Sequence, residues 1–142
     1  MNQSFPAKIS YALVLFVTLV FFAPLIPAVL QAGFDAKMAT TFIFLVIIYI
    51  LVLYLLLGTK YTIENNMLKI RSGFIQFSPV PVESIKEIRK THSLLSAPAP
   101  SFDRILIKYG KYDEVIVSPK DKQAFINALK NINPAIDIVA TL

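Results

Sequence analysis

The sequence predicts two N-terminal transmembrane helices followed by a mainly β domain, an antiparallel curved sheet capped by a C-terminal amphipathic helix. Three observations carry that fold class. Uncharged apolar stretches run from Ile9 to Leu30 and from Met38 to Leu57. Past Gly58 the apolar residues come in short alternating runs, the period of strands. From Ser118 to Ile132 a helical stripe follows a set of capping residues. The division that results is a two-span hairpin over 1–58, a β domain with its helix over 59–134, and a tail over 135–142.

A bilayer core of roughly 30 Å takes about 20 apolar residues in a helix, the length of each stretch. Pro24 and Pro27 interrupt the first span, and a kink is expected at Pro24 because proline removes a backbone donor and crowds the preceding turn. Lys8, the run Ile9–Ala23 and Gln31-Ala32-Gly33 also resemble a signal peptide cut after Ala32. The apolar character continues through Leu25, Ile26, Val29 and Leu30, however, and Leu30 occupies a position that cleavage reserves for a small residue. The first stretch is therefore read as an uncleaved span. The connector offers Lys37 beside Asp35, whereas Lys8 precedes the first span and Lys60, Lys69 and Arg71 follow the second. This bias places both termini and the C-terminal domain in the cytoplasm and the short connector outside, in a membrane crossed twice. Phe34 and Tyr61 are expected at the two membrane–water interfaces.

Composition bounds the remainder. The chain has 142 residues, 14 Lys plus Arg against 9 Asp plus Glu, and a net charge of +5. Setting aside Lys8, Lys37 and Asp35 leaves 12 basic and 8 acidic residues for the β domain. That modest excess suits a domain close to anionic headgroups, each nearby cation contributing about 1 kcal/mol. It is too scattered for nucleic acid, which calls for a clustered basic stripe. No cysteine is present, so disulfides and thiolate metal sites are excluded.

Within the domain, Lys60–Glu64 and Met67–Arg71 alternate around Asn65-Asn66, and a two-residue Asn turn predicts a β-hairpin. Leu68 and Ile70 then face inward, Lys69 and Arg71 outward. Gly73 ends this strand and Phe74–Phe77 begins a third, which Pro79 and Pro81 terminate or confine to an edge. Val82–Ile85 turns into a fourth strand, Glu87–Thr91. Ser93–Pro100 is apolar for a loop, and its prolines bar it from helix and central strand. Phe102–Tyr109 is a strand with Ile105, Ile107 and Tyr109 on one face and Arg104, Leu106 and Lys108 on the other. Gly110–Asp113 turns it into Glu114–Val117. Ser118 is expected as the helix N-cap, with Pro119 at the first helical position and Asp121 in the first turn. Phe125, Ile126, Leu129 and Ile132 form the apolar stripe, Lys122, Asn127 and Lys130 face water, and Asn133-Pro134 stops the helix.

Five segments carry a resemblance: Lys60-Tyr-Thr-Ile63; Leu68-Lys-Ile70 with Gly73; Val82 to Ile88; Ser101-Phe-Asp-Arg-Ile105; and Val117-Ser-Pro-Lys-Asp121 with Phe125 and Leu129. Together, over Gly58 to Pro134, they resemble the bacterial pleckstrin-homology-like (PH-like) domains of the YyaB-like type, found on small proteins with two preceding membrane spans. The resemblance implies a PH-like fold of sheet plus C-terminal helix, and a membrane-anchored binding or scaffold module is the expected function. Some related PH-like membrane proteins are associated with immunity to secreted bacteriocins, which supplies an alternative as an immunity or envelope-defence protein. Eukaryotic PH domains that bind phosphoinositides carry a basic cluster at the first hairpin; here the corresponding turn is Asn65-Asn66 with Lys69 and Arg71 nearby.

Catalytic chemistry finds little footing. His92 is the single histidine, and neither a Gly-flanked serine nor a nucleophile elbow accompanies it, so a strand-end histidine facing solvent is the favoured reading. One His and no Cys exclude a conventional zinc site. The four glycines fit no phosphate-binding signature. Glu83, Glu87 and Asp103 read as surface charges or as ion-pair partners of Arg89 and Arg104. The chain is thus expected to be non-enzymatic, with no catalytic, cofactor or metal residues and no small-molecule substrate or nucleic acid. Ser101, Asp103 and Arg104 are expected to anchor the long loop to its strand. Lys69, Arg71, Leu94 and Leu95 are the candidate contacts with the lipid bilayer, a protein partner or a second copy. The two leucines alternatively plug the open end of the sheet.

Overall fold

The structure, a computed structural model, describes residues 2–93 and 99–139. Strand β1 (Gln3–Pro6) comes before the helices α1 (Tyr11–Phe22), α2 (Leu25–Ala32) and α3 (Ala36–Leu57). Strands β2 (Thr59–Glu64), β3 (Met67–Ser72), β4 (Ile75–Gln76) and β5 (Val80–Pro81) follow, then a 3₁₀ turn at Val82–Ser84. The chain continues through β6 (Ile85–Thr91), β7 (Arg104–Tyr109), β8 (Asp113–Val117), α4 (Lys122–Ile132) and β9 (Asp137–Val139).

Tyr11–Ala32 and Ala36–Leu57 are both apolar helical runs of 22 residues, long enough to cross a bilayer. The first breaks at Ala23-Pro24, where the proline lacks the donor that would continue the ladder. The runs meet through Thr18 and Tyr49, whose hydroxyls are 2.7 Å apart. Phe21 and Phe22 pack on the Tyr49 ring, with centroids at 5.7 and 5.2 Å. Hydrocarbon would offer these hydroxyls no partner, so satisfying them against each other favours the paired arrangement. Asp35 caps α3, its Oδ1 accepting from Met38 N at 2.8 Å. The helix therefore starts at Ala36, ahead of the expected Met38.

The β domain begins before the first apolar helix. β1 pairs antiparallel with β2 from Gln3↔Ile63 to Pro6↔Lys60. Beyond it, Lys8 N donates to Ser118 O at 2.7 Å and Lys120 N donates to Pro6 O at 2.9 Å. The expected boundary at residue 58 thus assigns the N-terminal residues to the wrong unit. Gln3-Ser-Phe-Pro6 is too short to show a period, and its partner lies across the whole hairpin of spans. The expected tail also contributes, because β9 pairs with β6, Ile138 opposite Ile88, and does so in parallel.

Two sheets form where one curved sheet is expected. One runs β1-β2-β3-β4 with β5 also on β3; the other runs β8-β7-β6-β9. Pro79 and Pro81 account for much of this division, since they shorten the third predicted strand to the two-residue β4 and leave β5 as a short edge piece. The β2–β3 hairpin closes as the Asn pair predicts, with φ of 51° at Asn65 and 59° at Asn66, as a two-residue primed turn requires.

The core lies between the sheets and α4. Tyr61, Ile63, Leu68 and Ile70 meet Ile88, Ile105, Ile107 and Val117, and Phe125, Ile126 and Leu129 close it from α4. Each fully buried large apolar side chain stabilises the fold by about 1.5–3 kcal/mol. Tyr61 belongs to this core rather than to a membrane interface, since it shares the inward face of β2 with Ile63. Its hydroxyl accepts from Ser118 N at 3.0 Å, and burial raises its pKa.

The helix start is corrected as well. The N-cap is Asp121, whose Oδ1 accepts from Ala124 N at 2.9 Å. Ser118 is buried upstream, because the backbone of 118–120 is held in extended pairing by the N-terminal strand. The expected stop holds, with Asn133 as C-cap.

At the other end of the domain, α3 is clamped to the hairpin. Leu55 O accepts from Ser72 Oγ at 2.7 Å and from Thr59 Oγ1 at 3.1 Å, two hydroxyls that satisfy a carbonyl of the helix C-terminus. Gly73 N donates to Gly58 O at 3.2 Å. A Cβ at Gly58 would lie 3.0 Å from Gly73 Cα, and Gly73 has φ +57°. Replacing Gly73 with Ala is therefore expected to destabilise the intact protein by about 1–2 kcal/mol through left-handed strain. Unfolding of the detergent-solubilised chain measures it, and an unchanged midpoint would show that the junction tolerates a side chain.

Candidate functional site

The long loop that precedes β7 is anchored through Arg104, which is only 5% exposed. Its guanidinium donates to three backbone carbonyls: Ser101 O, Ala99 O at 2.9 Å and Ser93 O at 3.1 Å. The rigid donor fork of arginine suits this task, gathering both ends of the loop onto one strand residue. Ser101 Oγ accepts from Asp103 N at 3.1 Å, a local turn that aims the carboxylate outward. Ala99 then covers Leu106 and Ile116, a small apolar cluster on the outer face of the second sheet.

Asp103 does not pair with Arg104. Its Oδ2 accepts from Lys8 Nζ at 2.9 Å and its Oδ1 from Lys122 Nζ. One carboxylate thereby ties the strand-to-span connection, the long loop and the first turn of α4. Lys122, expected to face water, is turned into this clasp. The hydrogen bond from Lys122, aided by Lys8, holds the Asp103 carboxyl at about 2 despite partial desolvation. Neither lysine is identifiable from sequence alone, since each reaches Asp103 only once β1 is in place. Glu87 similarly meets Arg89 at 3.8 Å and Lys108 at 3.5 Å. His92 is exposed just past the end of β6.

The outward cations of the hairpin divide by position. Lys69 Nζ lies 2.8 Å from Glu64 Oε2, an interaction that lowers the Glu64 pKa. Arg71 sits at the opposite, span-proximal end, directly across from Lys60. Its Nε donates to Gly73 O at 2.8 Å. Lys60 and Arg71 form no ion pair among the described residues. Beside them Phe74, 62% exposed, stacks on Tyr54 of α3 with ring centroids 6.2 Å apart. Ile75 and Phe77 are exposed next to it. Of this apolar and basic group the sequence singles out Arg71 alone. Counting back from the Asn turn would have found the Lys60–Arg71 pairing, whereas the packing against Tyr54 needs the turn of the chain after Gly73.

Leu94 and Leu95 lie outside the described residues. The described flank of their loop runs beside the start of α1, where Ser10 N donates to Pro100 O at 3.1 Å.

A carboxyl held low contributes stability that is complete above its ordinary value of 3.8 and lost as pH falls through about 2. Asp103→Asn is expected to cost about 0.5–1 kcal/mol at neutral pH, a small figure because the Asp103 side chain is 34% exposed. Between about pH 4 and 2 the variant should lose less stability than the parent. Parallel stability–pH curves would remove Asp103 from the clasp.

Among known proteins, the family described as "Bacterial PH domain" matches residues 59–133. No curated protein and no solved structure matches the chain. The matched region takes in β2 to β8 and α4, which supply most of the core, and leaves out β1 and β9. On that match the chain belongs to the bacterial PH domain family.

Proposed function

We propose that this protein is a non-enzymatic, membrane-anchored scaffold whose PH-like module engages a protein partner, a second copy of itself or the membrane surface. The observation that carries the proposal is the double attachment of the helical hairpin. β1 enters it and β2 leaves it as paired neighbours, so the module is held against the end of the spans rather than carried on a flexible tether. A surface kept in one orientation at a membrane suits recognition and assembly. The polar residues that invite catalytic readings are occupied in architecture: Arg104 on carbonyls, Asp103 on two lysines and Glu87 on its neighbours.

The module and both termini are placed on the cytoplasmic side of a bacterial inner membrane, in keeping with the basic residues that flank the spans. Retention of the first span is supported by β1, because a cut after Ala32 would remove the strand and Lys8 with it. Assignment to the YyaB-like type rests on Ser101–Ile105 and Val117–Asp121. Leu94 and Leu95, by their apolar character in sequence, and Lys69 and Arg71 on the hairpin are the residues assigned to contact.

A reporter that functions only in the cytoplasm, fused after Leu142, should be active, while the same reporter inserted at Phe34 should be silent. The reverse pattern would place the module in the opposite compartment. Capture of the full-length protein after crosslinking in its own membrane should yield a discrete partner or dimer that the Leu94→Ser/Leu95→Ser variant loses. An unchanged crosslinking pattern would exclude the loop as the docking surface.

A further inference from the structure

We propose that Phe74, Ile75 and Phe77, with Lys60 and Arg71 beside them, form an interfacial collar that embeds in the anionic leaflet from which α3 emerges. The inference rests on the reading that α1–α3 cross a bilayer, and it adds a second lipid contact made by the β domain itself. The argument begins from position. Tyr54 lies one turn before the end of α3, so in a spanning helix its ring sits near the boundary of the hydrocarbon. Phe74 is stacked on that ring, and hence occupies the same depth. Gly73 makes this possible, for its N donates to Gly58 O and its left-handed conformation turns the chain back against the helix end.

Exposure supplies the second part. Large apolar side chains cluster here without cover: Phe74, Ile75 and Phe77 are all exposed, and no residue of 74–79 belongs to the core. Aqueous exposure of such a group is unfavourable, and each side chain moved into the interface recovers part of a transfer free energy. Phe77 N donates to Ile70 O, so the segment is held as a backbone-paired edge rather than as a free loop.

Charge supplies the third. Lys60 and Arg71 are cross-strand neighbours of like sign, an arrangement that is unfavourable in isolation. A lipid phosphate between them would relieve that repulsion. The basic pair lies at the span-proximal end of the hairpin, whereas Asn65-Asn66 lies at its far end, about 17 Å along the strands at roughly 3.3 Å per residue. The lipid contact is therefore assigned to the chain reversal after β3 and not to the hairpin turn.

The chain contains no tryptophan, so a single indole introduced at any position is a unique fluorescent probe. Full-length Phe74→Trp, Phe77→Trp, Ile47→Trp and Tyr112→Trp variants would be reconstituted in phosphatidylglycerol-containing vesicles with lipids brominated at defined depths. Ile47 is mid-span and exposed; Tyr112, 88% exposed on the β7–β8 turn, is the aqueous reference. The expected result is strong quenching of the Ile47→Trp variant by deep bromines and of the Phe74→Trp and Phe77→Trp variants by shallow ones. The Tyr112→Trp variant should not be quenched at any depth. Unquenched Phe74→Trp and Phe77→Trp alongside a quenched Ile47→Trp would overturn the collar while leaving the spans intact. Absence of quenching in Ile47→Trp would overturn the membrane-spanning reading and the collar with it. On the Phe74→Trp background, Lys60→Gln/Arg71→Gln should reduce quenching in anionic vesicles to the level seen in zwitterionic ones. Equal quenching with and without the cations would remove the anionic requirement.

Discussion

The pairing of β1 with β2 is the constraint on which the rest of the structure depends. These strands are consecutive neighbours in a sheet, yet the whole helical hairpin separates them in sequence. Neighbouring strands lie about 4.8 Å apart, while packed helices keep axes about 8–10 Å apart. Entry and exit points that close let the two helical runs leave side by side with little splaying. The contact between Thr18 and Tyr49 continues the pairing along the helices. Any rotation of the hairpin relative to the domain would have to break strand hydrogen bonds or the Thr59–Ser72 clamp on Leu55 O.

The same pairing reaches into the opposite side of the domain. Because Pro6 and Lys8 exchange backbone hydrogen bonds with Ser118 and Lys120, that segment is extended and α4 starts only at Lys122, capped by Asp121. Lys122 is thereby directed to Asp103 together with Lys8, and the long loop is drawn into the junction. A single exposed ion pair contributes little. Here one carboxylate joins three chain segments, which makes its contribution one of geometry more than of net energy.

The bacterial PH module presents two chemically different ends to its surroundings. Its far end carries the exposed, polar Asn65-Asn66 turn and the Lys69–Glu64 ion pair. Its span-proximal end carries Lys60 opposite Arg71, Phe74 stacked on Tyr54 and an exposed Phe77, cations and rings in the mixture that membrane interfaces accommodate. This asymmetry follows the attachment of the spans and gives the domain a defined near side and far side.

Where the signal was local, the sequence was readable. The apolar lengths, the Asn-Asn hairpin, the Ile105/Ile107 face of β7 and the Phe125/Ile126/Leu129 stripe each arise from periodicity or turn chemistry within a few residues. Of the candidate site, the turn at Ser101 and the alternation of Lys69 and Arg71 were legible for the same reason. Tertiary structure alone decided that Gln3–Pro6 is a strand of the domain, that Tyr61 is core, that Asp121 caps α4, that Asp103 binds two lysines, and that Phe74 rests on Tyr54. Each of these joins residues distant in the chain. A short polar strand or a lone lysine carries no periodicity of its own, so its partner is selected only when the core has closed around it.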